Sequence, residues 1–266
     1  MDGRADRPSG TELLSALESG ELRVAERDAD GTWIVHAWVK QAILDLFRSS
    51  ELKEFGTREQ RELWPFVDKE AFPVRAFARE SRVRLVPGGS AVRRGAFVGE
   101  GCVLMPPCYV NVGAFVGAGS MIDSHALVGS CAQIGERVHV SAGVQVGGVL
   151  EPPNSRPVIV EDEAFLGGQC GLYEGVLVRR RAVLAAGVVL TGSTRVFDLV
   201  NERELERGRN EPLEIPADAV VVPGTRPAAG DLARERGLSV ACALIVKYRD
   251  ERTDRATALE EALRTR

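Results

Sequence analysis

The sequence predicts a mainly β protein built on a β-helix, with a small α-rich segment before it and a short strand and helix after it. Three observations carry this reading. An aliphatic residue returns every six positions, a small or medium residue follows each by four, and the chain is poor in aromatics, with three Trp, three Tyr and nine Phe in 266 residues. The period runs unbroken through Val92, Val98, Leu104, Val110, Val116, Ile122, Val128, Ile134, Val140 and Val146, and resumes through Val160, Leu166, Leu172, Val178, Leu184, Leu190 and Val196. The second inward position holds Ala96, Cys102, Cys108, Ala114, Ser120, Ala126, Ala132, Val138 and Val144, then Ala164, Cys170, Val176, Ala182 and Val188. An α-helix does not return to one face every six residues, and a plain strand alternates every two. Three hexads closing one triangular coil of about eighteen residues account for both positions.

Each buried Val, Leu or Ile contributes on the order of 1.5–3 kcal/mol, so the repeated anchors supply a core without many rings. Glycine directly follows the anchor at Gly99, Gly117, Gly129, Gly135, Gly147 and Gly167. These are expected at corners where the backbone needs positive φ.

Ahead of the repeat, apolar spacing predicts helices over 11–18 and 38–47, with Thr11 as N-cap, and a short strand at Trp33–His36. Residues 51–82 are mixed and charged, with helix-like pieces at Arg58–Leu63 and Val74–Glu80. The stretch from Glu151 to Ile159 carries three prolines and reads as a loop thrown out from a corner. A charged excursion covers Asp198–Glu214, and a last coil is expected at Ile215 and Val221. Ser239–Tyr248 reads as a strand and Ala256–Arg264 as a terminal helix. The expected division is an α-rich N-terminal domain over 1–83, the β-helix over 84–225, and a C-terminal strand and helix over 226–266.

With 34 Lys and Arg against 38 Asp and Glu, and no basic block, the sequence argues against a nucleic-acid groove or a polybasic membrane patch. Small molecules and protein are the expected partners. The N-terminal residues lack an apolar h-region and no stretch reaches eighteen uninterrupted apolar residues, so a cytoplasmic protein is expected. Five cysteines without a C-x-x-C pair fit reduced thiols and no zinc knuckle.

The [LIV]-G-x-x-x-x pattern resembles the hexapeptide repeat of left-handed β-helix acyltransferases. Seven further segments resemble the tetrahydrodipicolinate N-succinyltransferase family of the lysine/diaminopimelate pathway over nearly the whole chain. They are Ser19–Glu26, Asn111–Ala114, Met121–Asp123, Val128–Gly135, Gly147–Pro152, Thr191–Thr194 and Cys242–Lys247. The resemblance implies a left-handed parallel β-helix, although the usual crossover rule favours the right hand. It also implies a homotrimer with the active site in the groove between neighbouring coils. The implied reaction is transfer of succinyl from succinyl-CoA, a co-substrate and not a resident cofactor, to the amino nitrogen of 2-amino-6-oxopimelate.

By that resemblance, Asp123 in Met-Ile-Asp matches the active-site aspartate, as base or amine-orienting group. Its residue type and corner position are equally accounted for by an aspartate satisfying turn amides. Arg84 matches a substrate-binding arginine, and a guanidinium can clamp a carboxylate with two parallel bonds. Lys247 is the candidate for a CoA phosphate, or simply an exposed strand-end lysine. His125 is a second candidate base because imidazole titrates in the right range; a surface histidine is the alternative. His36 and His139 read as structural. The chain departs from the family motif Arg-Ser-Glu-x-x-Glu-Gly, reading Gln169-Cys-Gly-Leu-Tyr-Glu-Gly175, so Gly171 stands where the first glutamate would be.

Two competing readings share the coil. A γ-type carbonic anhydrase needs three zinc-binding histidines, and the coil has only His125 and His139. A non-catalytic β-helix would need neither Asp123 nor the loop at 151–159. The open alternative is an N-acetyltransferase using acetyl-CoA on the same or a related amino-dicarboxylate.

Overall fold

From Ala91 to Leu190 the chain is a succession of two-residue strands, each paired in parallel with its counterpart one coil away. Phe97 pairs with Phe115 and Phe115 with Gln133, Met121 with His139, and Leu127 with Gln145. The computed structural model describes residues 7–63, 66–206 and 211–250. Among these, the coil strands form three sheets of six, ten and six strands around one core. All seventeen anchors are buried, none more than 8% exposed, and so are the small residues four positions on. Ser120, the polar member of that set, donates to the Gly135 carbonyl at 2.9 Å and accepts from the Val138 N–H at 3.0 Å.

The glycines after the anchors play a different part from the one expected. Positive φ falls two residues later, at Gly95, Gly113, His125 (φ 61), Cys131, Arg137 and Gln169 among others. Gly99 is there for close approach: a Cβ would sit 2.7 Å from the backbone N of Ala118 in the next coil. At the corners that carry glycine after the anchor, the neighbouring coil leaves no room for a side chain, and the left-handed residue stands two positions on.

The head combines helices α1 (Gly10–Ser19), α2 (Ala37–Ser49) and α3 (Arg58–Leu63) with two antiparallel strand pairs. These are β1 (Ala25–Arg27) with β2 (Trp33–Val35), and β3 (Leu52–Phe55) with β4 (Phe66–Lys69). The strand expected at Trp33–His36 is present as β2, and the pair β3–β4 is an addition the sequence did not suggest. Thr11 lies inside α1, whose N-cap is Ser9. The helix expected over Val74–Glu80 is absent. Val74 bridges Arg93 there, leaving a single 3-10 turn at Arg79–Ser81, because the backbone after Pro73 bonds to the first coil (Arg75 N–H to the Val92 carbonyl, 2.7 Å).

Leu13, Leu14, Leu17, Val24, Val39, Ile43 and Phe72 form the head's core and extend it onto Val112 and Cys131 of the coil. The head also covers the outer side of a six-strand sheet. Arg23 lies 3.6 Å over the Phe115 ring and donates to Gln133 Oε1 at 3.1 Å. Past the charged excursion, Ile215 and Val221 are buried as a last coil. The strand Ala219–Pro227 then joins the ten-strand sheet through Val183 and pairs antiparallel with Ser239–Tyr248. Helix α4 (Asp231–Arg236) lies between them. The helix expected over 256–264 lies outside the described residues. Among those described, no helix is long and apolar enough to cross a membrane.

Candidate active site

Asp123 follows anchor Ile122 and is half-buried, its Oδ1 accepting from the Ser124 N–H at 2.8 Å. This is the turn-amide contact that residue type alone suggested; the second carboxylate oxygen carries no bond among the described residues. Asp123 also lies beside the Cys108 thiol, which burial, and then its charge, push up. His125 stands on the same corner, exposed and left-handed, with its N–H on the Pro107 carbonyl at 2.6 Å. Backbone geometry therefore aims both side chains outward from one edge of the coil.

Arg84 and Lys247 lie on the sheet that leads into this corner. The outward column runs Arg84, Val103, Met121, His139, Phe165, Val183, Val220, Lys247. Arg84 is exposed and two strands from Met121, roughly 10 Å at the usual strand spacing. Lys247 is five strands beyond Met121, roughly 24 Å away, and meets Asp250 at 3.2 Å. Within one chain the structure brings Arg84 towards the Asp123 corner and leaves Lys247 at the far end of the sheet. His139 is buried and stacks on Phe165 at 4.8 Å, and His36 bonds Glu26 at 2.7 Å.

A groove of about 1390 Å³ opens at the next corner of the triangle. Its floor is Gly147-Gly148, one wall is Tyr173–Gly175 with Thr191–Ser193, and the other is the loop 151–156 with Trp33 from the head. Glu174 points its Oε2 at the Gly192 N–H, 2.8 Å away. The hydroxyl of Thr191 lies 3.1 Å from that of Ser193 and 3.2 Å from that of Thr194. Arg156 donates from Nε to the Gly175 carbonyl at 3.0 Å and from Nη1 to Glu214 at 2.8 Å, while its buried Nη2 has no hydrogen-bond partner among the described residues. Burial pulls its pKa down, and the Glu214 contact opposes this only in part. The groove thus offers hydroxyls, backbone amides and carboxylates, suited to a polar acyl donor or acceptor.

Gly171, where the resembled motif carries glutamate, is covered by Tyr173. A Cβ there would lie 2.7 Å from the ring's Cε2 and 3.2 Å from its hydroxyl. Trp33, Tyr173 and the Thr191–Ser193 turn were not singled out as site residues from the sequence, although Gly147–Pro152 and Thr191–Thr194 were among the segments that carried the resemblance. Among the described residues no three His, Cys, Asp or Glu side chains gather to hold a metal ion.

Comparison with known proteins adds the following. Residues 7–48 match the family model "Tetrahydrodipicolinate N-succinyltransferase N-terminal", and 157–192 match "Hexapeptide repeat of succinyl-transferase". A 2,3,4,5-tetrahydropyridine-2,6-dicarboxylate N-succinyltransferase of Rhodopseudomonas palustris (strain BisB5) is 48% identical over 97% of this chain and 90% of its own length. The enzyme of the same name from Bradyrhizobium diazoefficiens is 44% identical over the same shares. A solved Campylobacter jejuni structure, described as a candidate 2,3,4,5-tetrahydropyridine-2-carboxylate N-succinyltransferase, covers 94% of this chain and 65% of its own at 16% identity, with a TM-score of 0.47. That superposition is too loose to add to the sequence relationship.

Proposed function

The chain belongs to the tetrahydrodipicolinate N-succinyltransferase family, and from that membership we infer that it transfers the succinyl group of succinyl-CoA to the amino nitrogen of 2-amino-6-oxopimelate, the ring-opened hydrate of tetrahydrodipicolinate. The observation that carries this reading is identity of 42–48% to enzymes of that name over nearly the whole chain. The step belongs to lysine and diaminopimelate biosynthesis. Acetyl-CoA is the disfavoured donor. Steady-state assay with both acyl-CoAs tests the choice: succinyl-CoA is expected to give the higher kcat/KM, and a preference for acetyl-CoA overturns it.

In the reaction the amine nitrogen attacks the thioester carbonyl, the C–S bond breaks, the thiolate leaves as CoA, and the amine loses a proton. A positioned base contributes roughly 10²–10⁴-fold. Asp123 takes that proton or orients the amine, with His125 beside it as the other candidate. Arg84 binds a carboxylate of the amino substrate, and Lys247 a CoA phosphate.

The coil is read as left-handed on the strength of the hexapeptide-repeat match, and the protein as a homotrimer. The trimer reading is supported by the separation of the Asp123 corner from the groove. A triangular coil cannot close one corner on another, whereas a ring of three can set the corner of one copy against the groove of the next. The head over 1–83, coil over 84–225 and C-terminal segment over 226–266 are read as its three parts. A cytoplasmic location fits a reaction fed by succinyl-CoA.

A further inference from the structure

Lys40 is fully buried in α2, where its neighbours on the same face are Val39, Ile43 and Leu44. Its ammonium donates to the carbonyl of Ser155 at 2.8 Å and to that of Pro152 at 3.3 Å, and to nothing in the head among the described residues. A methionine would fill the same space without the cost of burying a charge. What the charge does is external to the head: it holds two carbonyls of the groove's loop.

That loop has little else to hold it. Pro152, Pro153 and Pro157 have no N–H to give. Between 151 and 157 its one backbone bond among the described residues is internal, Ser155 N–H to the Pro152 carbonyl at 3.0 Å. Among the described residues, side-chain ties to the rest of the molecule come from Arg156 at the loop's end and Lys40 at its middle. Yet Glu151, Pro152, Asn154, Ser155 and Arg156 make one wall of the groove.

We propose that Lys40 is a positioning residue of the active site: from inside the head it clamps the Pro152 and Ser155 carbonyls and fixes the loop as the groove wall against which substrate is bound. This rests on the reading of the groove as part of the active site. It gives the head a role in the reaction, since a residue of α2, more than a hundred positions away in sequence, sets the shape of the wall.

The test uses the full chain with Lys40→Met, which keeps volume and removes both bonds, and Lys40→Gln, which keeps an amide donor. Lys40→Met is expected to raise KM for at least one substrate about ten- to hundredfold, as displaced binding groups do. It should also speed amide exchange at residues 154–156 while leaving exchange in the coil strands unchanged. Lys40→Gln should recover part of both effects. A folded Lys40→Met enzyme with wild-type KM values and wild-type loop exchange overturns the proposal. So does failure of both variants to fold, which would make Lys40 a residue of the head's core alone. Ser193→Trp, on the opposite wall, separates the underlying reading: if it leaves activity intact, the groove is not the site, whatever Lys40 does to the loop.

Discussion

The indole Nε1 of Trp33 donates to Oε1 of Glu161 at 2.9 Å and so ties the head to the coil through a carboxylate that is 4% exposed. The same carboxylate receives Arg27, Arg179 at 3.1 Å and the Arg180 N–H at 2.9 Å. Burial pushes the Glu161 carboxyl up, but the bonds from Trp33, Arg27 and the Arg180 amide outweigh it and hold the group below its usual 4.5.

A pKa lowered in the folded state means stability that is complete above the unfolded value and is lost as pH falls through the folded one. The melting-temperature gap between wild type and Glu161→Gln should therefore be widest near neutral pH and narrow as pH falls below the carboxyl's usual 4.5. A gap that stays constant from pH 7 to pH 3 would show that the ionised form gives no stability.

The inward face and the corner's close approach each predict one severe substitution. Val128→Asp places an unpaired carboxylate at a fully buried anchor, at a cost of several kcal/mol, and should abolish folding. Gly129→Ala drives a Cβ into the backbone of Gly148 and should destabilise by about 1–3 kcal/mol. Circular dichroism melts check both, and wild-type melting of Val128→Asp would mean that the face is misassigned.

Asp123→Asn should keep the fold and lower kcat roughly 10²-fold or more if the carboxylate takes the proton. The control is His125→Gly, because φ of 61 makes any other small replacement strained. If His125 is the base, that variant carries the larger loss while Asp123→Asn mainly raises KM for the amine. Full activity in both would remove this corner from the chemistry.

Arg84→Ala should raise KM for the amino-dicarboxylate and leave KM for succinyl-CoA near the wild-type value. Arg84 makes no ion pair among the described residues, so its loss should leave the melting temperature within a degree or two. Equal rises in both KM values would argue against a carboxylate contact.

A shared site predicts complementation. On the trimer reading, Asp123→Asn and Ser193→Trp should each be strongly impaired alone, yet co-expressed chains should regain activity, because a mixed trimer would contain an interface with an intact corner and an intact groove. Light scattering that finds only monomer at micromolar concentration, or no regain in mixed samples, would count against a site between copies.

The sequence alone determined the coil, because a β-helix repeats one local geometry: Val92 to Val196 had to face inward every six residues whatever surrounded them. It determined the loop at 151–159, where prolines break the repeat, and through whole-chain resemblance it pointed to the family. Tertiary structure decided what depends on pairs far apart in the chain. The glycines after the anchors look like turn residues in sequence, but the neighbouring coil's backbone is what excludes their side chains. Val74–Glu80 shows helical spacing, but Val74 and Arg75 pair with the first coil, leaving only a 3-10 turn at Arg79–Ser81. Lys40 reads as a polar residue of a helix until the fold places Pro152 and Ser155 against it. Nothing local to α2 specifies those two carbonyls, so only the docked head could show what a buried charge at that position holds.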